Sequence, residues 1–168
     1  MLTPDLPPIT YNPPPITRGD QSGRAITPEL KILTLAVSPS SFADAIRERI
    51  ASRAIEELQR YGRFRAGWDG YRGRPFSKLL ISQGVDIVKH ATILSRVRDA
   101  SLDAIIPGPA SDGSIDVEFK RGDKTLAITM YPEATDAEVH RGVRGDETHH
   151  VVPNDTFAMV HELAWLFS

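Results

Sequence analysis

Two runs, Ile115-Asp116-Val117-Glu118-Phe119-Lys120 and Lys124-Thr125-Leu126-Ala127-Ile128-Thr129-Met130, are joined by Arg121-Gly122-Asp123, and their reading decides the fold. From Ile105 onward the hydrophobic period is two. Ile115, Val117 and Phe119 alternate with Asp116, Glu118 and Lys120, and Leu126, Ile128 and Met130 continue the alternation after the turn. Strict alternation is the mark of a strand with one buried and one wet face, and Gly-Asp between two such runs predicts a β-hairpin. A third strand near Glu138–Val143, a turn at Arg144-Gly145-Asp146 and a fourth strand near Glu147–Val152 extend it into an antiparallel meander of three to four strands.

Helical periodicity flanks the meander. Ser41 with Asp44 at the capping-box position opens a helix whose Phe42, Ile46, Ile50, Ala54, Leu58 and Tyr61 form one apolar stripe, and Gly62 suits its end. A second helix runs from Phe76 or Ser77 to Val97, with Leu80, Ile87, Val88, Ala91 and Leu94 inward and Gly84 as a place of close helix approach. After the strands, Asn154 or Asp155 caps a terminal helix with Phe157, Val160, Leu163, Ala164 and Phe167 inward. Strands grouped together rather than alternating with helices predict an α+β fold: two N-terminal helices, the meander and a C-terminal helix.

The chain has 168 residues, the length of one domain. Residues 1–25 read as a flexible Pro-rich arm, because proline fixes its own φ and disfavours helix in the residue before it. Residues 26–168 read as a single α+β domain. Residues 31–37 fit a short strand or a helical turn equally well. With no cysteine, disulfides, thiolate metal sites and cysteine nucleophiles are excluded. No apolar run is long enough to span a bilayer and the N-terminus lacks the pattern of a signal peptide, so a cytoplasmic protein with no membrane partner is the expectation.

The net charge of −2 argues against a protein that coats nucleic acid, yet Arg60, Arg63, Arg65, Arg72, Arg74 and Lys78 crowd one stretch against Asp69 alone. That stretch holds Gly67-Trp68-Asp69-Gly70-Tyr71. The glycines permit positive φ, Asp69 can accept backbone N–H bonds, and Trp68 and Tyr71 offer apolar faces with a polar handle. The candidate binding residues are therefore Arg63, Arg65, Trp68, Asp69, Tyr71, Arg72 and Arg74. For Trp68 and Asp69 the competing reading is a plug between the two helices and a satisfied loop.

A second candidate lies on the hairpin. Asp116, Glu118 and Lys120 share one strand face, in the manner of an Asp…Glu-x-Lys nuclease centre where two carboxylates hold a divalent ion and the lysine orients the attacking water. Asp69 or Asp112 would complete that set. The competing reading is the wet face of an amphipathic strand. His140, His149, His150 and His161 match no zinc-motif spacing, and adjacent His149 and His150 point to opposite faces of a strand. No cofactor and no metal are expected. The Arg-Gly-Asp triplets at 18–20, 121–123 and 144–146 read as turn chemistry.

Gly67-Trp68-Asp69-Gly70-Tyr71 with Pro75, followed by Pro109, Asp112, Gly113, Ser114, Ile115 and Glu118, resembles small bacterial proteins that carry a GWDGY…P and DGSI-x-x-E motif pair. The resemblance covers roughly Leu58 to Met130. It implies a fold and carries no activity, so no functional residue follows from it. The resulting expectation is a non-enzymatic macromolecule-binding protein that docks on a protein partner, in a bacterial toxin–antitoxin, phage or defence system. Nucleic acid is the other partner the Arg60–Lys78 stretch could take, and a homo-oligomeric module is a third reading. The alternative function is a metal-dependent nuclease using Asp69, Asp112, Asp116, Glu118 and Lys120.

Overall fold

The alternating runs pair as the sequence requires. In the computed structural model, which describes residues 42–168, helices α1 (Phe42–Tyr61) and α2 (Lys78–Val97) precede strands β1 (Ala104–Pro109), β2 (Ile115–Arg121), β3 (Lys124–Met130), β4 (Asp136–Val143) and β5 (Asp146–Pro153), and α3 (Thr156–Leu166) closes the chain. The sheet is antiparallel with order β1-β2-β3-β4-β5. The Pro-rich arm, residues 31–37, the Ser41 cap and Arg18-Gly19-Asp20 lie outside the described residues.

The fold is α+β, but the sheet has five strands where three to four are expected. The additional one, β1, reads Ala-Ile-Ile-Pro-Gly-Pro, and its prolines argue against a strand. They are tolerated because β1 pairs only with β2 and so lies at the sheet edge, where a missing N–H can face away from the ladder. A second correction concerns the β4–β5 turn. Val143 pairs with Asp146, so the loop is the two residues Arg144 and Gly145, both at positive φ (54° and 92°), and Asp146 already belongs to β5. Two consecutive positive-φ residues give the turn whose twist matches the flanking strands.

Helices α2 and α3 start where a side chain satisfies a free backbone donor. The Ser77 hydroxyl accepts from the Leu80 N–H at 3.1 Å, and the Asp155 carboxylate accepts from the Ala158 N–H at 2.8 Å. Leu58 and Tyr61 of α1, Leu80, Ile87 and Val88 of α2, and Met159, Leu163 and Leu166 of α3 meet Ile115, Val117, Phe119, Leu126, Ile128 and Met130 in one core. Gly84 is where α1 and α2 come close, since a Cβ there would sit 3.1 Å from Leu58 Cδ2. Three apolar residues assigned inward by periodicity point outward instead: Phe42 is 83%, Ile46 41% and Phe157 85% exposed. All three lie near the start of their helix, ahead of the turns that rest on the core. Leu163, Leu166 and Phe167 are buried, so the C-terminal Leu/Phe segment is core.

All three helices join the core made by one sheet face. The other face presents Asp116, Glu118 and Lys120 of β2, Thr125, Ala127 and Thr129 of β3, Glu138 and His140 of β4, and His149 of β5. Among the described residues no helix covers it.

Candidate functional site

The loop between α1 and α2 is built around an aromatic stack. Phe64 stacks on Trp68 with ring centroids 4.9 Å apart, and Phe76 lies 5.6 Å from Trp68 and 5.4 Å from Tyr61. Tyr61 is fully buried, and burial pushes its phenol up to about 12. The indole Nε1 donates to the Arg74 carbonyl at 3.0 Å, tying the two ends of the loop together. Gly67 N–H donates to the Gly73 carbonyl at 2.7 Å, and Gly67 and Gly70 sit at φ of 76° and 83°. Gly73 is packed so closely that a Cβ would fall 2.7 Å from Trp68 Nε1.

Asp69 Oδ1 accepts from the Tyr71 and Gly73 N–H groups, each at 2.9 Å. The Tyr71 amide, then that of Gly73, holds its carboxyl below the usual carboxylate range. A depressed folded pKa adds stability that is present above the unfolded value and is lost as pH falls through the folded one. The loop is therefore expected to loosen in acid, with the amide signals of Tyr71 and Gly73 moving below the ordinary carboxyl value of 3.8. Asp69→Asn should move the same two signals already at neutral pH.

Trp68 and Asp69 thus build the loop, and Tyr71 and the arginines face outward from it. Tyr71 is 88% exposed. Arg63, Arg65, Arg72 and Arg74 are exposed, and among the described residues none of them lies within ion-pair distance of a carboxylate. Arg74 N–H donates to the Ser111 carbonyl at 2.8 Å, fastening the loop to the β1–β2 turn. Beside it a groove of about 520 Å³ is lined by Arg74, Pro75, Phe76, Ser77, Leu79, Asp112, Pro132 and Glu133. Leu79 is among the exposed apolar side chains.

Asp112 serves its own turn as Asp69 does. Its Oδ1 accepts from the Ser114 hydroxyl at 2.6 Å and the Ser114 N–H at 2.9 Å, which together lower its pKa. Asp116, Glu118 and Lys120 share the helix-free face, where Lys120 Nζ lies 3.3 Å from Glu118 Oε1 and Thr129 Oγ1 donates to Asp116 Oδ1 at 3.0 Å. Burial raises the Asp116 pKa against that hydrogen bond. Asp69, Asp112, Asp116 and Glu118 do not gather into a three-donor set. Among the described residues that set is Glu138, His140 and His149, whose donor atoms lie within 4.8 Å of one another.

These three residues escape a reading by chain spacing because two strands supply them. His140 pairs with His149 across β4–β5, and Glu138 sits two residues from His140 on the same face. His150 points the other way, its Nε2 lying 3.2 Å from Glu162 Oε2.

Fold and site together define the class: an α+β domain with an antiparallel sheet covered by helices on one face and an arginine-ringed aromatic loop between two of those helices. No family model, curated protein or solved structure matches the chain. No helix among the described residues is long and apolar enough to cross a membrane.

Proposed function

We propose that the protein is a non-enzymatic docking protein whose binding face is the Arg63–Pro75 loop and the groove beside it, and that its partner is a protein with an acidic surface. The observation that carries this reading is four exposed arginines, without ion-pair partners among the described residues, around an exposed Tyr71, all on a loop held rigid from below by Trp68 and Asp69. A preorganised loop loses little conformational freedom on binding, so more of the contact energy appears as affinity. Tyrosine and arginine are the side chains that most often anchor interfaces, and unpaired guanidinium groups can take carboxylates in bidentate fashion. A toxin–antitoxin, phage or defence system is the setting we assign to it.

Because Trp68 supports the loop, the informative substitutions are Tyr71→Ala and Arg72→Ala. Each is expected to weaken binding to the purified partner about 10-fold or more, the ~1.4 kcal/mol or above of an interface anchor, while the thermal midpoint stays within about a degree, as for surface changes generally. Partners are first identified as proteins retained from the native cell by the wild-type chain and not by the double variant. The purified complex should then weaken with salt. Retention by both chains alike, a salt-independent complex, or nucleic acid as the retained species would each refute the reading.

A further inference from the structure

We propose that Glu138, His140 and His149 form a binding site for a divalent transition-metal ion of the zinc class on the helix-free face of the sheet. The site is separate from the docking loop and does not rest on it. Register dictates the site. The two-residue turn at Arg144-Gly145 fixes Val143 opposite Asp146, and the same register sets His140 directly opposite His149. Their ring centroids are 4.4 Å apart at an interplanar angle of 32°. Glu138 stands next to them on the same face, with Oε2 3.7 Å from His149 Nε2.

The donor set fits a borderline-soft ion. Two imidazoles and one carboxylate are a recurrent three-ligand set for zinc, leaving a position open to solvent. Zinc donors about 2.0–2.2 Å from the ion lie roughly 3.3–3.6 Å apart in a tetrahedral arrangement. The three donor atoms are already within 4.8 Å of one another, so small side-chain rotations bring them to that spacing. Both histidines are exposed, and neither ring nitrogen pair is spent on a hydrogen bond within the described residues, which leaves lone pairs for an ion. Two further carboxyl groups stand on the same face, one of them paired with Lys120. Glu118 lies in the row of His140 and His149, separated from His140 by Ala127, and Asp116 lies in the row of Glu138, separated by Thr129. Magnesium prefers an all-oxygen octahedron and is not the ion for two imidazoles.

The test is calorimetric titration of the full chain with zinc chloride, with cobalt as an optical probe of tetrahedral nitrogen ligation. One ion per chain is expected. His140→Ala and His149→Ala should each weaken binding at least about 10-fold, the loss that even an outer partner of a metal site can carry. His161→Ala and His90→Ala should leave affinity and stoichiometry unchanged. Glu138→Gln preserves side-chain volume and gives a second route to the same loss if an alanine variant fails to fold. No saturable zinc binding, binding that survives His140→Ala and His149→Ala, or an equal loss in His161→Ala would overturn the proposal.

Discussion

Glu162→Ala is expected to lower the unfolding free energy by about 3 kcal/mol, at the low end of what breaking a buried ion pair costs. Glu162 lies inside α3 with its side chain only 5% exposed, facing β4 and β5. Its Oε2 accepts from Arg141 Nε at 2.9 Å and Nη2 at 2.7 Å, and it is 3.2 Å from His150 Nε2. Taking away the carboxylate leaves a guanidinium that has lost two charge-assisted bonds. Arg141 keeps 23% of its side chain in solvent and remains 5.0 Å from the Trp165 ring, so part of the loss is recovered and the upper end of the range is not reached. Arg141→Ala should cost at least as much, since it strands a more deeply buried carboxylate. Replacing both at once, Arg141→Met with Glu162→Leu, should cost less than either alanine change, because an apolar pair of similar volume is no worse than a paired buried charge. Urea unfolding of the three variants gives the comparison. Additive losses would show that Arg141 and Glu162 do not act together.

How much of this was legible in the sequence depends on whether a feature is local. The hairpin at Ile115–Met130, the Asp155 cap and the stop at Gly62 are local, and the residues that make them are adjacent in the chain. β1 was hidden because Pro107 and Pro109 reverse its propensity, and only its place at the sheet edge makes them acceptable. Phe42 and Phe157 lie on apolar stripes, but a stripe gives the direction of a side chain and not how far the core extends along the helix. The Glu162–Arg141 pair joins elements whose apposition no spacing encodes. Glu138, His140 and His149 form the instructive case. Reading Arg144-Gly145-Asp146 as a three-residue turn would have set His150 opposite His140, and the observed two-residue turn sets His149 there. A one-residue change in register moves a side chain to the opposite face of the sheet. The loop at Gly67–Tyr71 was legible in kind, since glycine spacing and Asp69 announce a turn. The inward indole matches the plug reading of Trp68, and what the motif does not name is its partners, Phe64 and Phe76, which flank it.

Trp68→Ala is expected to cost roughly 2–4 kcal/mol, somewhat below the 3–5 typical of a fully buried aromatic because Trp68 is only half-buried. Three losses combine. The stack with Phe64 and the contact with Phe76 disappear, the Arg74 carbonyl loses the indole N–H, and a gap opens beside Phe64 and Phe76. Trp68→Phe separates these terms. It restores most of the stacking but not the hydrogen bond to Arg74, so about 1 kcal/mol of loss should remain. The loop and the core are coupled through Tyr61 and Phe76, so Trp68→Ala should reduce the thermal midpoint of the whole domain and not of the loop alone. This outcome bears directly on function. A partner that contacts Trp68 itself would lose affinity in Trp68→Phe even where the fold is nearly intact. A partner that reads only the outer surface would tolerate Trp68→Phe and fail with Tyr71→Ala or Arg72→Ala. We expect the second pattern, because the indole faces its own loop and the side chains turned outward are Tyr71 and the arginines. If Trp68→Ala left the midpoint unchanged, the aromatic stack would not support the loop, and Trp68 would return to the binding face as a direct contact.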